Sequence, residues 1–373
     1  MDKQVKNQYN PDVVSPPGET LLELLQTLGI TQVELSERIG KTPKHINKII
    51  KGEAPIVPET ALQLERALRV PAQFWNNRER RYREFIACKE EREQMQEQVK
   101  WLERLPLQAL QKWGWIEKFD DAVDQLREVL SFFGVVSPEQ WEVLWLQPEA
   151  AFRQSPAFEA EPYAVAAWLR KGELEAQQVD CAPFNKKKFK AALREIRSLT
   201  GKSPQLFQKE IVRLSAEAGV AVVFVPALDK TRASGATRWL KPDKALIQLS
   251  LRYKSDDQFW FAFFHEAAHI LHHGKREVFI DVETVADDER EREANKFAAD
   301  FLISPEDWRH FTRQEHYYSR EEILNFAATL DVAPGIVVGR LQHEDYLDYK
   351  YRNSLKRKLT WQVEEGRAII IPG

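Results

Sequence analysis

Two histidines four residues apart, with a glutamate directly after the first, occur once in this chain, as His265-Glu266-Ala267-Ala268-His269. On a helix, positions four apart lie on one face, a turn above each other. Two imidazoles so placed can share one metal ion, and the glutamate beside the first can manage the protons of a water that the metal activates. The flanking residues support a helix: Phe259-Trp260-Phe261-Ala262-Phe263-Phe264 precede the motif and Ile270-Leu271 follow it. Ser255 is placed to cap this helix with Gln258 as its capping-box partner, and Gly274 is placed to end it.

A catalytic zinc takes three protein ligands and keeps one position open. The spacing therefore calls for a third donor nearby in space. Glu289, Glu291 and Glu293 stand on the next helical stretch, expected from about Asp287 to Leu302. Alternate helix positions do not share a face, so at most one of them aims at the metal. Ala294, Phe297, Ala298, Phe301 and Leu302 mark the buried face, which favours Glu291 and leaves Glu293 in reserve. Asn295, one turn beyond Glu291, is placed to orient a ligand from behind. His272 and His273 are expected to cap the helix or face water. Tyr253, His310 and His343 are candidates for stabilising an oxyanion. The chemistry this constellation implies is hydrolysis of a peptide bond, with one Zn2+ per chain and Glu266 as proton acceptor and donor.

Before the motif lie three strand-like segments: Ala221–Val225, Ala233–Trp239 and Lys244–Ser250, with a turn at Lys241-Pro242-Asp243 between the last two. The alternation in Lys244–Ser250 predicts one solvent-facing side, and an extended substrate is expected to add to this strand. Residues 306–355 read as mainly helical, and Arg367–Ile371 as a terminal strand.

A different kind of site is written near the N-terminus. Leu21 to Leu28 form an amphipathic helix stopped by Gly29. Thr31 with Glu34 caps a second helix stopped by Gly40, and Thr42-Pro43 opens a third stopped by Gly52. A fourth begins at Pro58 and runs to Leu68. A helix, a glycine turn and a second helix with polar exposed positions is the pattern of a DNA-reading unit. The candidate contact set is Gln32, Lys41, Thr42, Lys44, His45, Asn47, Lys48 and Lys51. Asn47 suits a base edge and the lysines suit phosphates. The formal net charge of the chain is -3, so attraction to DNA must come from this local patch rather than from a global field.

The remainder sets the frame. With 373 residues the chain has room for two or three domains. Two cysteines, Cys88 and Cys181, rule out a disulfide framework and a thiolate zinc site and fit a reducing compartment. No leader-like segment and no membrane-length apolar run is evident, so a cytoplasmic location without membrane contact is expected. Most of the eleven tryptophans fall between Trp101 and Trp260 and are expected in a core. Phe74 to about Leu105 reads as a long charged helix, and 106–200 as further helices without a chemical motif.

The run from His265 to His273, together with Glu291–Ala299 and Leu302-Ile303-Ser304-Pro305, resembles the ImmA/IrrE metallopeptidases over about residues 200–345. These are gluzincin-like zinc proteases that act on transcriptional repressors. The resemblance implies zinc on His265, His269 and Glu291, with Glu266 as general base. The family usually has glycine where Ala268 stands. Residues 19–85 resemble Cro/repressor-type helix-turn-helix domains, HigA-like antitoxins in particular, on the strength of Gly29–Gly40, Ile46–Gly52 and Leu68–Trp75. That implies a homodimer on a double-stranded DNA operator.

The expected architecture is mainly α with a small β-sheet (α+β). It comprises an all-α helix-turn-helix domain (19–85), a helical middle (86–200), a metallopeptidase domain (201–345) and a tail (346–373). The expected function is DNA-binding regulation coupled to cleavage of a repressor- or antitoxin-like protein, or of the chain itself. Two alternatives stay open. One is a repressor whose peptidase fold only senses or docks; the other is a protease whose helix-turn-helix only recruits its substrate.

Overall fold

A computed structural model describes residues 14–146, 161–229, 231, 233–274, 279–282, 289–313, 318–364 and 367–373. The expected turn at Pro148 and the expected helix start at Asp287 lie outside these residues. The chain divides into two compact units, 1–98 and 99–373.

The first unit is helical. Its elements are α1 (Pro17–Leu28), α2 (Gln32–Ile39), α3 (Pro43–Ile50), α4 (Pro58–Leu68) and α5 (Ala72–Gln98). Leu21, Leu25, Leu35, Ile39, Ile46, Ile49, Leu64 and Trp75 fill one core at 0–5% exposure, which is the apolar stripe of each helix turned inward. Gly29 and Gly40 end their helices in the left-handed conformation that glycine adopts without a Cβ penalty. Thr31 accepts the backbone N–H of Glu34 and Thr42 that of His45. The reciprocal half of the expected Thr31 box is not made, because the Glu34 carboxylate pairs with Arg38 one turn on. At Gly18 a side chain would run into the backbone of Ile49 and Ile50, so glycine lets α1 start against the end of α3.

In the second unit a 3-10 segment (Val99–Arg104) leads into α6 (Leu107–Lys112), α7 (Ala122–Phe133), α8 (Pro138–Leu146), α9 (Pro162–Gln177), α10 (Lys186–Arg197) and α11 (Pro204–Ala216). The expected tryptophan core is present: Trp141 and Trp168 are fully buried, and Trp141 stacks on Tyr163 with ring centroids 4.6 Å apart.

A four-stranded sheet follows, built from β1 (Val220–Phe224), β2 (Ala233–Lys241), β3 (Lys244–Leu249) and β4 (Phe279–Val282) in the order β1-β3-β2-β4. β1 and β3 are parallel; β2 is antiparallel to both β3 and β4. This overturns two expectations for Lys244–Ser250. β3 is internal and hydrogen-bonded on both sides, so it offers no edge to a substrate. It is also buried on both faces, because α9 covers the side expected to meet solvent. Gln248, 1% exposed, donates its side-chain N–H to the Trp168 carbonyl at 2.7 Å.

The rest of the unit comprises α12 (Asp256–His272), α13 (Glu289–Leu302), α14 (Pro305–Thr312), α15 (Arg320–Leu330) and α16 (Pro334–His343), then a hairpin of β5 (Leu359–Glu364) and β6 (Arg367–Pro372). α12 is apolar nearly all round because it is enclosed by the sheet, α13 and α16. Its expected capping box is absent: Ser255 makes no side-chain cap bond. The tail does that work instead. Asp256 N–H donates to the Arg357 carbonyl, and Arg357 N–H donates to Asp256 Oδ1, both at 3.0 Å. Among the described residues no single helix is long and apolar enough to cross a membrane.

Candidate metal centre and nucleic-acid interface

α12 carries His265 and His269 on one face, at 1% and 2% exposure. Their Nε2 atoms lie 3.0 Å apart. α13 brings Glu291 to the same point, with Oε2 3.0 Å from His265 Nε2 and Oε1 3.6 Å from His269 Nε2. One donor atom from each of the three residues falls within 4.8 Å of the others, so this group could hold a metal ion.

The hydrogen bonds behind these donors decide which atoms carry lone pairs. His265 Nδ1 is 2.9 Å from Asn295 Oδ1, an acceptor, so Nδ1 holds the hydrogen and Nε2 the lone pair. Asn295 thus lies behind His265, on the side away from Nε2. His269 Nδ1 is 2.8 Å from His273 Nδ1, and His273 Nε2 is 3.3 Å from Glu293 Oε2. When His273 donates Nε2–H to the Glu293 carboxylate, its Nδ1 accepts from His269 Nδ1–H. The lone pair of His269 Nε2 then also points at the centre. The sequence reading had His273 capping the helix or facing water, and Glu293 as a reserve ligand. In the structure they form a chain leading to His269. His272 is exposed and packs on the Phe297 ring, away from this chain.

Burial pushes the His269 imidazole down to about 4, against a partly opposing pull from Glu291. Burial alone would raise the Glu291 carboxyl, but hydrogen bonds and charge from His265 and His269 outweigh it and hold the group far below the usual carboxylate range. The donor set is two imidazole nitrogens and a carboxylate, and its N, N, O composition suits zinc.

Glu266 is fully buried and faces β2. Thr237 Oγ1 donates to Glu266 Oε2 at 2.5 Å and lies 3.2 Å from the Glu266 carbonyl oxygen. At Gly235 an added Cβ would fall 2.5 Å from Glu266 Oε1, so glycine is what leaves the carboxylate its place. Neither residue was singled out from sequence; the glycine inside a strand pattern was the available signal. Ala268, where glycine is usual in the resembling family, fits at 1% exposure.

Beside this centre is a cavity of about 300 Å3 whose walls include Asn295, Phe261, Ser234, Tyr253 and His343. Two of the three oxyanion candidates thus border it. His310 does not: it stands exposed on α14.

In the first unit, Lys44, Asn47, Lys48 and Lys51 are exposed, while Ile46 and Ile49 between them are buried. This splits α3 into a core face and a polar face. Thr42 is exposed; Gln32 and His45 are half-buried. Lys41 lies 3.4 Å from Glu59, so part of its charge is already matched.

Two family models match the chain. A helix-turn-helix model covers residues 21–75, and a model described as IrrE N-terminal-like domain covers residues 216–342. The chain therefore joins a Cro/repressor-type helix-turn-helix domain to an ImmA/IrrE-like domain within an α+β architecture. The first domain points to DNA-binding regulation and the second to a metallopeptidase-like fold. Among solved structures, a proposed antidote protein of a plasmid maintenance system from Nostoc punctiforme PCC 73102 matches at 24% identity and a TM-score of 0.22, over 22% of this chain and 91% of that one. No curated protein matches the chain.

Proposed function

We propose that this protein is a DNA-binding regulator whose second unit is a zinc-dependent endopeptidase acting on a regulatory protein, either a repressor- or antitoxin-like partner or the chain itself. The observation that carries the reading is the convergence of His265, His269 and Glu291 beside a buried Glu266. The match of that segment to the IrrE N-terminal-like domain supports it.

His265, His269 and Glu291 would hold a zinc ion, which would supply Lewis acidity for a water molecule and for the scissile carbonyl. Glu266 accepts the proton of the attacking water and delivers it to the leaving amine. Thr237 fixes the Glu266 carboxylate through Oε2. Asn295 and His273 hold the two imidazoles in the tautomer that presents Nε2. β4 ends the described sheet beside β2, which carries Gly235 and Thr237. An extended substrate is expected to pair along that outer strand, giving affinity through main-chain hydrogen bonds.

In the first unit, Asn47 is proposed to read a base edge, with Lys44, Lys48 and Lys51 on phosphates and a homodimer on a palindromic operator. The test is a comparison of protein termini in cells carrying wild type or Glu266→Gln. A terminus in one regulatory protein, made by wild type and missing from a variant that retains zinc, supports the reading. Identical termini in both strains would point to a sensing or docking role for the fold.

A further inference from the structure

We infer that the outer face of α10 is a second DNA-contacting surface, holding the phosphates of duplex DNA without reading its sequence. The inference stands apart from the peptidase reading, and α10 lies ahead of residues 216–342, which match the IrrE N-terminal-like domain. The helix reads Lys186-Lys187-Lys188-Phe189-Lys190-Ala191-Ala192-Leu193-Arg194-Glu195-Ile196-Arg197. It holds six cations and one carboxylate in a chain whose net charge is -3. Phe189, Ala192, Leu193 and Ile196 face the core at 0–6% exposure. Arg197 is engaged inside as well, donating to the carbonyls of Phe301 and Leu302 at 3.0 Å and of Leu330 at 2.9 Å. Lys186, Lys187, Lys188, Lys190 and Arg194 stand exposed. Among the described residues, none of their side chains makes an ion pair.

Other helices of the chain show how a merely solvated face is built. On α5, Arg80, Arg83 and Lys89 pair with Glu84, Glu79 and Glu93 four residues away. Arg213 of α11 pairs with Glu210 and Glu217. Opposite charges at that spacing support a helix, and like charges work against it. On α10 the four-residue neighbours Lys186 and Lys190, and Lys190 and Arg194, are like-charged. Lys186, Lys187 and Lys188 also fill the first turn, where the helix dipole favours acids. Helix stability therefore does not account for this face, whereas an external polyanion does. Two features select DNA over an acidic protein. Lys186, Lys190 and Arg194 form a stripe with steps of about 6 Å along the axis, a row of charges suited to a row of phosphates. And α10, all of whose residues are described, exposes no large apolar side chain to anchor a protein partner. Lysine is depleted in protein interfaces, while DNA interfaces are polar and strongly positive. The helix-turn-helix domain makes duplex DNA the polyanion this chain meets.

The experiment is fluorescence anisotropy of the full-length protein on a labelled duplex of random sequence, over a range of salt concentrations. Lys186→Gln, Lys190→Gln and Arg194→Gln combined should make the salt slope shallower by about 3, near one for each lost phosphate contact. The shift should persist in a Lys44→Gln, Lys48→Gln, Lys51→Gln background, which separates α10 from the helix-turn-helix unit. Lysine acetylation of the wild-type protein, read by mass spectrometry, decides even if the variant fails to fold. The duplex should protect Lys186, Lys187, Lys188 and Lys190 and leave the exposed Lys350 reactive. An unchanged slope, a shift that disappears in the second background, or equal reactivity of the α10 lysines with and without duplex would overturn the proposal. Protection by poly-L-glutamate but not by duplex would also overturn it and assign the face to an acidic protein.

Discussion

The two units keep their chemistry in opposite places. In the helix-turn-helix unit the candidate contact residues Lys44, Asn47 and Lys48 stand exposed on a single eight-residue helix with Lys51 directly after it, and the fold behind them is a shared apolar core. In the ImmA/IrrE-like unit the polar residues that matter are buried, and each is held by a residue from another element: His265 by Asn295, Glu266 by Thr237, Asp256 by Arg357. An exposed set is tolerant, since water satisfies whatever a partner does not. A buried set is not, since a polar group that loses its partner there keeps its desolvation cost. Single substitutions should therefore act in steps of different size in the two units.

The largest effect is expected at Glu266. Glu266→Gln should retain zinc and lower the cleavage rate by about 10²- to 10⁴-fold, the usual contribution of a positioned acid–base group; a rate within a few-fold of wild type would remove it from the chemistry. Next comes Asp256. Burial, and then the neighbouring Asp257, raise its carboxyl from 3.8 to about 6. The folded state thus holds this proton more tightly than the unfolded chain, and the stability that follows is present below pH 4 and lost as pH rises through 6. The shift corresponds to at most about 3 kcal/mol. Asp256→Asn, which keeps an Oδ1 acceptor for Arg357, should be more stable than wild type at pH 8, with the gap closing below pH 4. Denaturant titrations at both pH values test this, and a gap of constant size would contradict it.

Smaller still, His273→Ala should weaken zinc affinity by about 10- to 100-fold through loss of orientation at His269. A chelator competition assay reads this without reference to activity. The smallest effect belongs to the exposed set. Lys48→Ala should weaken binding to all DNA sequences alike and reduce the salt slope by about 1. A large loss confined to one operator would mean that Lys48 reads bases and that the contrast between the units is weaker than drawn here.

Legibility in the sequence followed the same divide. The helix-turn-helix unit could be read almost residue by residue, because its caps and stops are local: Thr31 with Glu34, Thr42 with His45, and glycines at 29 and 40. The α+β class and the order of helices and strands around the His-Glu pair were also legible. Errors arose wherever a partner lay far along the chain. Gln248 looked like a solvent-facing strand residue, but its partner is the carbonyl of Trp168 on a covering helix. Ser255 and Gln258 had capping-box spacing, but Arg357 from the tail meets that helix start. Thr237 has no pattern that marks it, since its importance comes from Glu266 reaching across to β2. His273 stands before a glycine, which suggested a cap or a solvent-facing residue, and its bond to Glu293 exists only once α12 and α13 pack together.

The central claim is that His265, His269 and Glu291 form a metal centre. Elemental analysis of the purified full-length protein tests it most directly. The account predicts about one zinc per chain, strongly reduced in His265→Ala and in Glu291→Ala but retained in Glu293→Ala. A metal-free native protein, or zinc content unchanged by His265→Ala, would contradict it.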